Sequence, residues 1–240
     1  MERRGKHRLK LGGVALQIML LTACGKSPEA STGENRENDV VARPTEAARP
    51  AGPERLILAL GDSLYAGYGL ARGEDLPDAI QTRLRAQGIN ATIVNAGVSG
   101  DTSAAGRQRL AFTLDSLPRK PDLVLLGLGG NDVLRQISPD ETRANMTAMM
   151  AELQKRRIPV VLTGMMAPPN LGPEYQARFN AIWPDLAKTY GAGLYPFILT
   201  GVIGQAGLMQ SDRVHPTARG VQKIAEQLLP TVSQALNKPG

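Results

Sequence analysis

Three polar residues, one in the first third of the chain and two close together near its end, have the side chains that acyl transfer requires. Ser63 follows the apolar run Leu56–Leu60, and its hydroxyl is a potential nucleophile. The chain has two histidines, and the other one, His7, lies in a basic N-terminal segment. His215 is therefore the candidate general base near neutral pH. Asp212, three residues earlier, is close enough to accept a hydrogen bond from the imidazole and fix its tautomer.

Each of these residues also has an ordinary structural alternative. A serine just after a strand often caps the next helix. An Asp-x-x-His pair can face solvent at the start of a helix, and Pro216 suits the first helical position because its missing N–H needs no partner there. The pair alone therefore leaves both interpretations open.

Donors for a negatively charged oxygen occur at further strand ends. The candidates are the backbone N–H groups of Ser63 and Gly100 and the side-chain amide of Asn131. A turn-forming role is the alternative for both Gly100 and Asn131. A nucleophile, two further donors and an acid–base pair, all following strand-like segments, favour a catalytic site.

The intervening sequence predicts the elements that would position these groups. Apolar runs predict strands at Leu56–Leu60, Thr92–Asn95, Leu123–Leu128, Val160–Met165 and Leu194–Phe197. Helical periodicity covers Leu76–Gln87, Ser103–Leu117, Asp140–Arg156, Tyr175–Tyr190 and Thr217–Leu236. Apolar strands alternating with helices indicate an α/β fold whose parallel sheet is covered on both faces. Ligands of such sheets bind beyond the carboxyl ends of the strands.

Composition and motifs argue against nucleic acid, nucleotide, metal or cofactor as partners. The net charge is +6, but residues 1–24 hold five basic residues and one acidic residue. Lys155–Arg157 is typical of the solvated end of a helix, and apart from it no basic cluster remains for nucleic acid. Gly127–Asp132 begins like a dinucleotide fingerprint, yet Asp132 replaces its last glycine and would repel a pyrophosphate. With one cysteine in the chain, Cys24, and one histidine beyond the leader, we expect no metal site.

The N-terminal region predicts export and anchoring. Residues 1–23 combine a basic start with a short apolar stretch, which is typical of a signal peptide. Leu21–Cys24 resembles a bacterial lipobox, so we expect Cys24 to be acylated, with a plain secretion signal as the alternative. Residues 24–54 predict a flexible tether of about 30 Å reach. We therefore expect a lipid-anchored protein of the bacterial cell envelope that faces the periplasm.

Four sequence blocks together resemble the SGNH (GDSL) hydrolase family. The blocks are Gly61–Leu64, Gly97–Gly100, Gly129–Asp132 and Asp212–Pro216. Further similarity at Asn95–Ser103 and Leu128–Asp132 points to the thioesterase I, arylesterase and lysophospholipase branch. The resemblance covers a domain assigned to residues 55–238.

The resemblance implies both a fold and a mechanism. The fold is a flavodoxin-like three-layer α/β/α sandwich with a five-stranded parallel sheet. Ser63, Asp212 and His215 become the triad, and Ser63, Gly100 and Asn131 become the oxyanion donors. The implied activity is that of a serine esterase on carboxylic esters or thioesters, with small-molecule esters or lipids as substrates. A carbohydrate O-acetyl esterase and a non-catalytic ligand-binding lipoprotein are the alternatives, and we expect a monomer.

Two segments are candidates for an acyl pocket. Met165 and Met166 follow the fourth predicted strand, and their flexible side chains would suit varied acyl chains. Leu134 and Ile137 follow the third motif and could border the same pocket. Core packing is the alternative for Met165.

Overall fold

The structure is a computed structural model that describes residues 49–237. The predicted leader, Cys24 and the tether as far as residue 48 lie outside the described residues. Within residues 49–237, no helix is both long and apolar enough to cross a bilayer.

In residues 49–237, five parallel strands form a single sheet in the order β2-β1-β3-β4-β5. The strands are β1 (Arg55–Gly61), β2 (Ala91–Gly97), β3 (Leu123–Gly127), β4 (Val160–Thr163) and β5 (Gly193–Tyr195). Each predicted apolar run contributes a strand, and the order reverses at β1, which lies between β2 and β3. The expected flavodoxin-like α/β sandwich is confirmed, and its switch point places a crevice beyond β1 and β3.

Helices cover both faces of this sheet. They are α1 (Ser63–Ala66), α2 (Leu76–Ala86), α3 (Ser103–Asp115), α4 (Gly130–Leu134), α5 (Pro139–Lys155), α6 (Pro173–Asn180), α7 (Ile182–Tyr190) and α8 (Ala218–Asn237), with a 3₁₀ turn at Pro169–Leu171. One core cluster joins the sheet to α2 and α8, and the other joins it to α3, α5, α6 and α7.

The alternation of side chains along β1 explains the two cores. Ile57 and Ala59 pack on the α2 and α8 side, whereas Leu58 and Leu60 pack on the opposite side. All four are fully buried. A strand buried on both faces must be apolar at every position, which is why it reads as a continuous run.

Two helix predictions need correction. The single helix predicted over Tyr175–Tyr190 is two helices, α6 and α7, because Pro184 has no N–H to donate to the carbonyl four residues earlier. Pro216 does not occupy the first position of α8. Instead Thr217 lies just before that helix, and its hydroxyl accepts a hydrogen bond from the Gly220 N–H at 3.2 Å.

Candidate active site

Ser63 is the first residue of α1, directly beyond the carboxyl end of β1. The helix is capped by Asp62, whose carboxylate accepts a hydrogen bond from the Leu64 N–H at 3.0 Å. The interpretation of Ser63 itself as the cap is therefore wrong. Because Asp62 has this role, the Ser63 hydroxyl is available to another partner.

Three glycines make room for α1 at the strand ends. Gly61 lies in register with Gly97 of β2 and Gly127 of β3. A Cβ at Gly61 would lie 2.5 Å from the Tyr65 ring, and one at Gly97 would lie 2.4 Å from the backbone nitrogen of Ala66. Only glycine lets the turn carrying Ser63 approach the sheet this closely.

A continuous chain of hydrogen bonds joins Ser63, His215 and Asp212. His215 Nε2 lies 2.8 Å from Ser63 Oγ, although the two residues are 152 positions apart. His215 Nδ1 lies 2.6 Å from Asp212 Oδ2. With Nδ1 protonated and donating to the carboxylate, Nε2 is left to accept the serine proton.

The loop before α8 fixes this histidine. Asp212 Oδ1 accepts the backbone N–H groups of Val214 at 2.9 Å and His215 at 3.0 Å. Arg213, between Asp212 and Val214, has a left-handed backbone, with φ of 58°. The Tyr68 ring lies 4.4 Å from the imidazole, centroid to centroid. The hydrogen bond from the His215 ring, and then those from the backbone, lower the Asp212 pKa to about 2, so it is an anion at neutral pH.

The three candidate oxyanion donors lie on three adjacent turns. Among the described residues, neither the Ser63 N–H nor the Gly100 N–H has an acceptor. Gly100 has φ of 88°, a conformation that favours glycine. Asn131 Nδ2 donates to the Asp101 carbonyl at 3.0 Å, which leaves its second amide hydrogen for another acceptor.

Asp132 anchors the Asn131 turn from below. Its carboxylate accepts the Ser103 N–H at 2.8 Å and the Thr142 hydroxyl at 3.0 Å, and it also contacts the Ser103 hydroxyl. Asp132 is fully buried. These contacts tie the Asn131 turn to α3 and α5, which is a structural role.

Asp62 is a second buried carboxyl group at the site. Burial raises the pKa of Asp62 to about 6, and the Leu64 N–H and nearby His215 oppose the rise. Its side chain lies against α4, since a Cβ at Gly130 would come within 2.9 Å of Asp62 Oδ2. This contact explains why glycine begins α4.

A mostly apolar cavity of about 290 Å³ opens at Ser63, Asn131 and His215. It is also lined by Asp62, Leu64, Gly130, Val133, Leu134, Met165, Met166, Pro168, Phe197, Leu199, Ile203, Arg213 and Val214. Another cavity of similar volume, about 300 Å³, lies at the amino ends of β4 and β5. That one contains no serine, histidine or carboxylate, so chemistry rather than size identifies the site.

Of the four residues predicted to border an acyl pocket, three line this cavity and one does not. Leu134, Met165 and Met166 line the cavity at Ser63. Ile137 does not line it, and its carbonyl accepts the Tyr175 hydroxyl at 2.7 Å. The cavity wall from Phe197 to Ile203 was not predicted, although this segment follows β5 and the strand-end rule could have indicated it.

Comparisons with known proteins define the class of this chain. Residues 59–223 match the model of the GDSL-like lipase/acylhydrolase family. Esterase TesA of Pseudomonas aeruginosa is 37% identical over 180 residues, 75% of this chain and 89% of that protein. Thioesterase 1/protease 1/lysophospholipase L1 of Escherichia coli strain K12 is 32% identical over 181 residues, covering 75% and 85%. The chain therefore belongs to the GDSL-like lipase/acylhydrolase family.

A solved structure supports the same assignment. The crystal structure of AlinE4, an SGNH-hydrolase family esterase, is 54% identical, with a TM-score of 0.66. The match covers 78% of this chain and 100% of that one. Together, these likenesses identify the chain as an enzyme that hydrolyses ester bonds.

Proposed function

We propose that this chain is a serine esterase in which Ser63 is the nucleophile, His215 the general base and Asp212 the residue that orients it. The observation that carries the proposal is the chain of hydrogen bonds of 2.8 and 2.6 Å through the imidazole. This chain of hydrogen bonds lies beside the Ser63 and Gly100 N–H groups, which have no acceptor among the described residues, and it opens onto an apolar cavity. Nucleophile, base and oxyanion donors are the parts that acyl transfer needs.

The reaction proceeds through an acyl-enzyme. His215 Nε2 takes the Ser63 proton as the oxygen attacks the carbonyl carbon. The developing oxyanion accepts hydrogen bonds from the Ser63 N–H, the Gly100 N–H and Asn131 Nδ2. The imidazolium then protonates the departing alcohol or thiol, and water activated by the same histidine releases the acid and regenerates Ser63.

The cavity favours acyl esters or thioesters of medium length. Leu134, Met166, Ile203 and Val214 are at least one third exposed and line one mouth, so an acyl chain would cover apolar surface there. Relatives named esterase and thioesterase 1/lysophospholipase L1 support this broad substrate class. The apolar lining disfavours the alternative, a carbohydrate O-acetyl esterase, which requires a polar groove.

We further propose that the enzyme works at the bacterial envelope, as a monomer held by acylated Cys24 and facing the periplasm. The lipobox-like Leu21–Cys24 and the polar tether that follows support this location. Metabolic labelling with an alkyne fatty acid tests it in the full chain. Label on the wild type but not on a Cys24→Ala variant is expected, and equal label on both would contradict the anchor.

Hydrolysis of p-nitrophenyl esters from acetate to palmitate tests the activity, with the domain from Arg55 onward and its Ser63→Ala variant. Activity across medium chains that disappears in the variant is the expected result. Activity on acetate alone would support the carbohydrate deacetylase instead. A folded wild-type domain that hydrolyses none of the esters would overturn the proposal in favour of a non-catalytic binding protein.

A further inference from the structure

Arg109, on the inner part of α3, contacts two of the turns that carry the candidate oxyanion donors. Its Nε lies 2.6 Å from Asp101 Oδ2. Its Nη2 donates to the Gly61 carbonyl at 3.0 Å. One planar guanidinium therefore joins the end of β1 to the loop after β2.

Both residues that Arg109 contacts lie close in sequence to a residue that carries a candidate oxyanion donor. Gly61 lies two residues before Ser63, and Asp101 directly follows Gly100. The Asp101 carbonyl in turn accepts the Asn131 amide at 3.0 Å. Through Asp101, the same guanidinium therefore also reaches the third donor.

The arginine–aspartate pair is well shielded. The side chains of Arg109 and Asp101 are only 22% and 13% exposed. Solvent screening of this pair is therefore weaker than for the exposed pairs of this protein. The hydrogen bonds to Asp101 and to the Gly61 carbonyl together fix the position of the guanidinium. Arg109 also lies on a 13-residue helix capped by the Thr102 hydroxyl, a rigid base for the contact.

A lysine could not replace this contact. The guanidinium donates from two nitrogens in a fixed fork, which matches two acceptors held apart by the sheet. An ammonium on a flexible stem would keep one acceptor and release the other. The geometry thus requires arginine specifically and not merely a positive charge.

We propose that Arg109 is a positioning residue of the oxyanion hole, which holds the Ser63, Gly100 and Asn131 donors at the spacing a tetrahedral intermediate requires. This inference rests on the proposed function, because it assumes that these donors stabilise an oxyanion. Arg109 does not line the cavity at Ser63 where the substrate would bind. Its effect therefore belongs to the transition state and not to ground-state binding.

Steady-state kinetics of Arg109→Lys and Arg109→Met test this role with a medium-chain p-nitrophenyl ester. We expect kcat to fall by about 10- to 100-fold, since small displacements of donors are costly, while KM changes less than about threefold. The affinity for an alkyl boronic acid, which forms a tetrahedral adduct, should fall in parallel with kcat. The affinity for an unreactive amide analogue should remain unchanged.

Arg156→Met is the matched control. Like Arg109, Arg156 bonds two acceptors, here the carboxylates of Glu152 at 2.7 Å and Asp115 at 2.5 Å, and it is 29% exposed. Asp115 is the last residue of α3, so the control disturbs the same helix at its far end. We expect this variant to keep the wild-type kcat. Millimolar guanidinium should also partly restore an Arg109→Ala variant and leave Arg156→Met unaffected.

Unchanged kcat in folded Arg109→Lys and Arg109→Met would overturn the inference. A loss of kcat with equal weakening of the boronic acid and the amide analogue would also overturn it, because that pattern indicates general disruption of the site. If Ser63→Ala retained full activity, the proposed function itself would fail. The Arg109 variants and Ser63→Ala therefore distinguish a failure of this inference from a failure of the proposed function.

Discussion

At the residue scale, Asp212 is partly exposed, and the turn that contains it fixes its orientation. Its side chain is 38% exposed, and its geometry comes from a tight turn in which one oxygen holds two backbone N–H groups while the other faces the imidazole. The turn fixes the tautomer of His215 without desolvating the carboxylate. We therefore expect the orientation of this residue to matter more than its burial.

Asp212→Asn separates orientation from charge. The amide can still accept the backbone N–H groups, but it stabilises the wrong imidazole tautomer or leaves the Nδ1–H without an anion. We expect kcat to fall by about 10²- to 10⁴-fold with little change in KM. Steady-state kinetics of the folded variant measure this, and a kcat within threefold of the wild type would contradict it.

The buried Asp62 carboxyl group predicts a pH effect on stability. Its pKa is raised from 3.8 to about 6, so between these values the folded protein keeps a proton that the unfolded chain has lost. The contribution of Asp62 to the free energy of unfolding therefore falls as pH rises through this window, by about 3 kcal/mol in total.

Asp62→Asn removes this titration but can still cap α1. Relative to the wild type, the variant should gain about 2–3 kcal/mol of unfolding free energy between pH 4 and pH 7. Urea denaturation of both proteins at both pH values measures the change. A constant difference between the two proteins would show that Asp62 titrates normally.

At the element scale, the nucleophile depends on the close contact between α1 and three strand ends. A Cβ at Gly97 would lie 2.4 Å from a backbone nitrogen of α1, which has no flexible end to move aside. We expect Gly97→Ala to destabilise the fold by about 1–3 kcal/mol and to lower kcat by displacing Ser63.

Gly88→Ala is the control for this prediction, measured by thermal unfolding and ester hydrolysis. A Cβ at Gly88 would meet no atom within 4 Å, although its φ is 80°. It should therefore cost stability through backbone strain, about 1–2 kcal/mol, without affecting kcat. An equal loss of kcat in both variants would contradict the role of the close contact.

Most elements could be predicted from the sequence, and the central strands β1, β3 and β4 most directly, because burial on both faces makes each of these a continuous apolar run. The short helices α1 and α4 could not, since four or five residues carry no periodicity. The break between α6 and α7 depended on one proline whose effect the apolar pattern of the neighbouring turns concealed. The motifs after the strands were predictable because parallel strands end at one edge.

At the scale of the whole molecule, the site gathers residues from the first and last parts of the domain. The strand-end rule predicted that Ser63 and His215 would lie near each other, and the family resemblance implied that they form part of one triad. The Phe197–Ile203 wall was missed, although its place after β5 could have indicated it. The Arg109 contacts were not predictable, because long-range side-chain packing leaves no local pattern in a single sequence. The folded arrangement is needed to find them.

The cavity predicts acyl-chain selectivity. Ile203 lines its mouth and is 50% exposed, so Ile203→Ser removes apolar surface that a longer acyl chain would cover. We expect kcat/KM to fall by about 3- to 10-fold for an octanoyl ester and to stay constant for acetate.

Phe112→Ser provides the matched control for this selectivity. Phe112 is 77% exposed on α3 and does not line the cavity. The ratio of octanoyl to acetyl kcat/KM should therefore remain at the wild-type value. If both variants lowered the ratio equally, general surface hydrophobicity and not the cavity would set the preference.

Covalent labelling of the nucleophile tests the central claim most directly. The domain would be treated with an alkyl fluorophosphonate and analysed by intact-mass and peptide mass spectrometry, beside its Ser63→Ala variant. We predict one adduct per wild-type molecule, located on Ser63, with loss of esterase activity in proportion to labelling and no adduct on the variant. An adduct on another residue, or full activity in a protein completely labelled at Ser63, would contradict the serine esterase account.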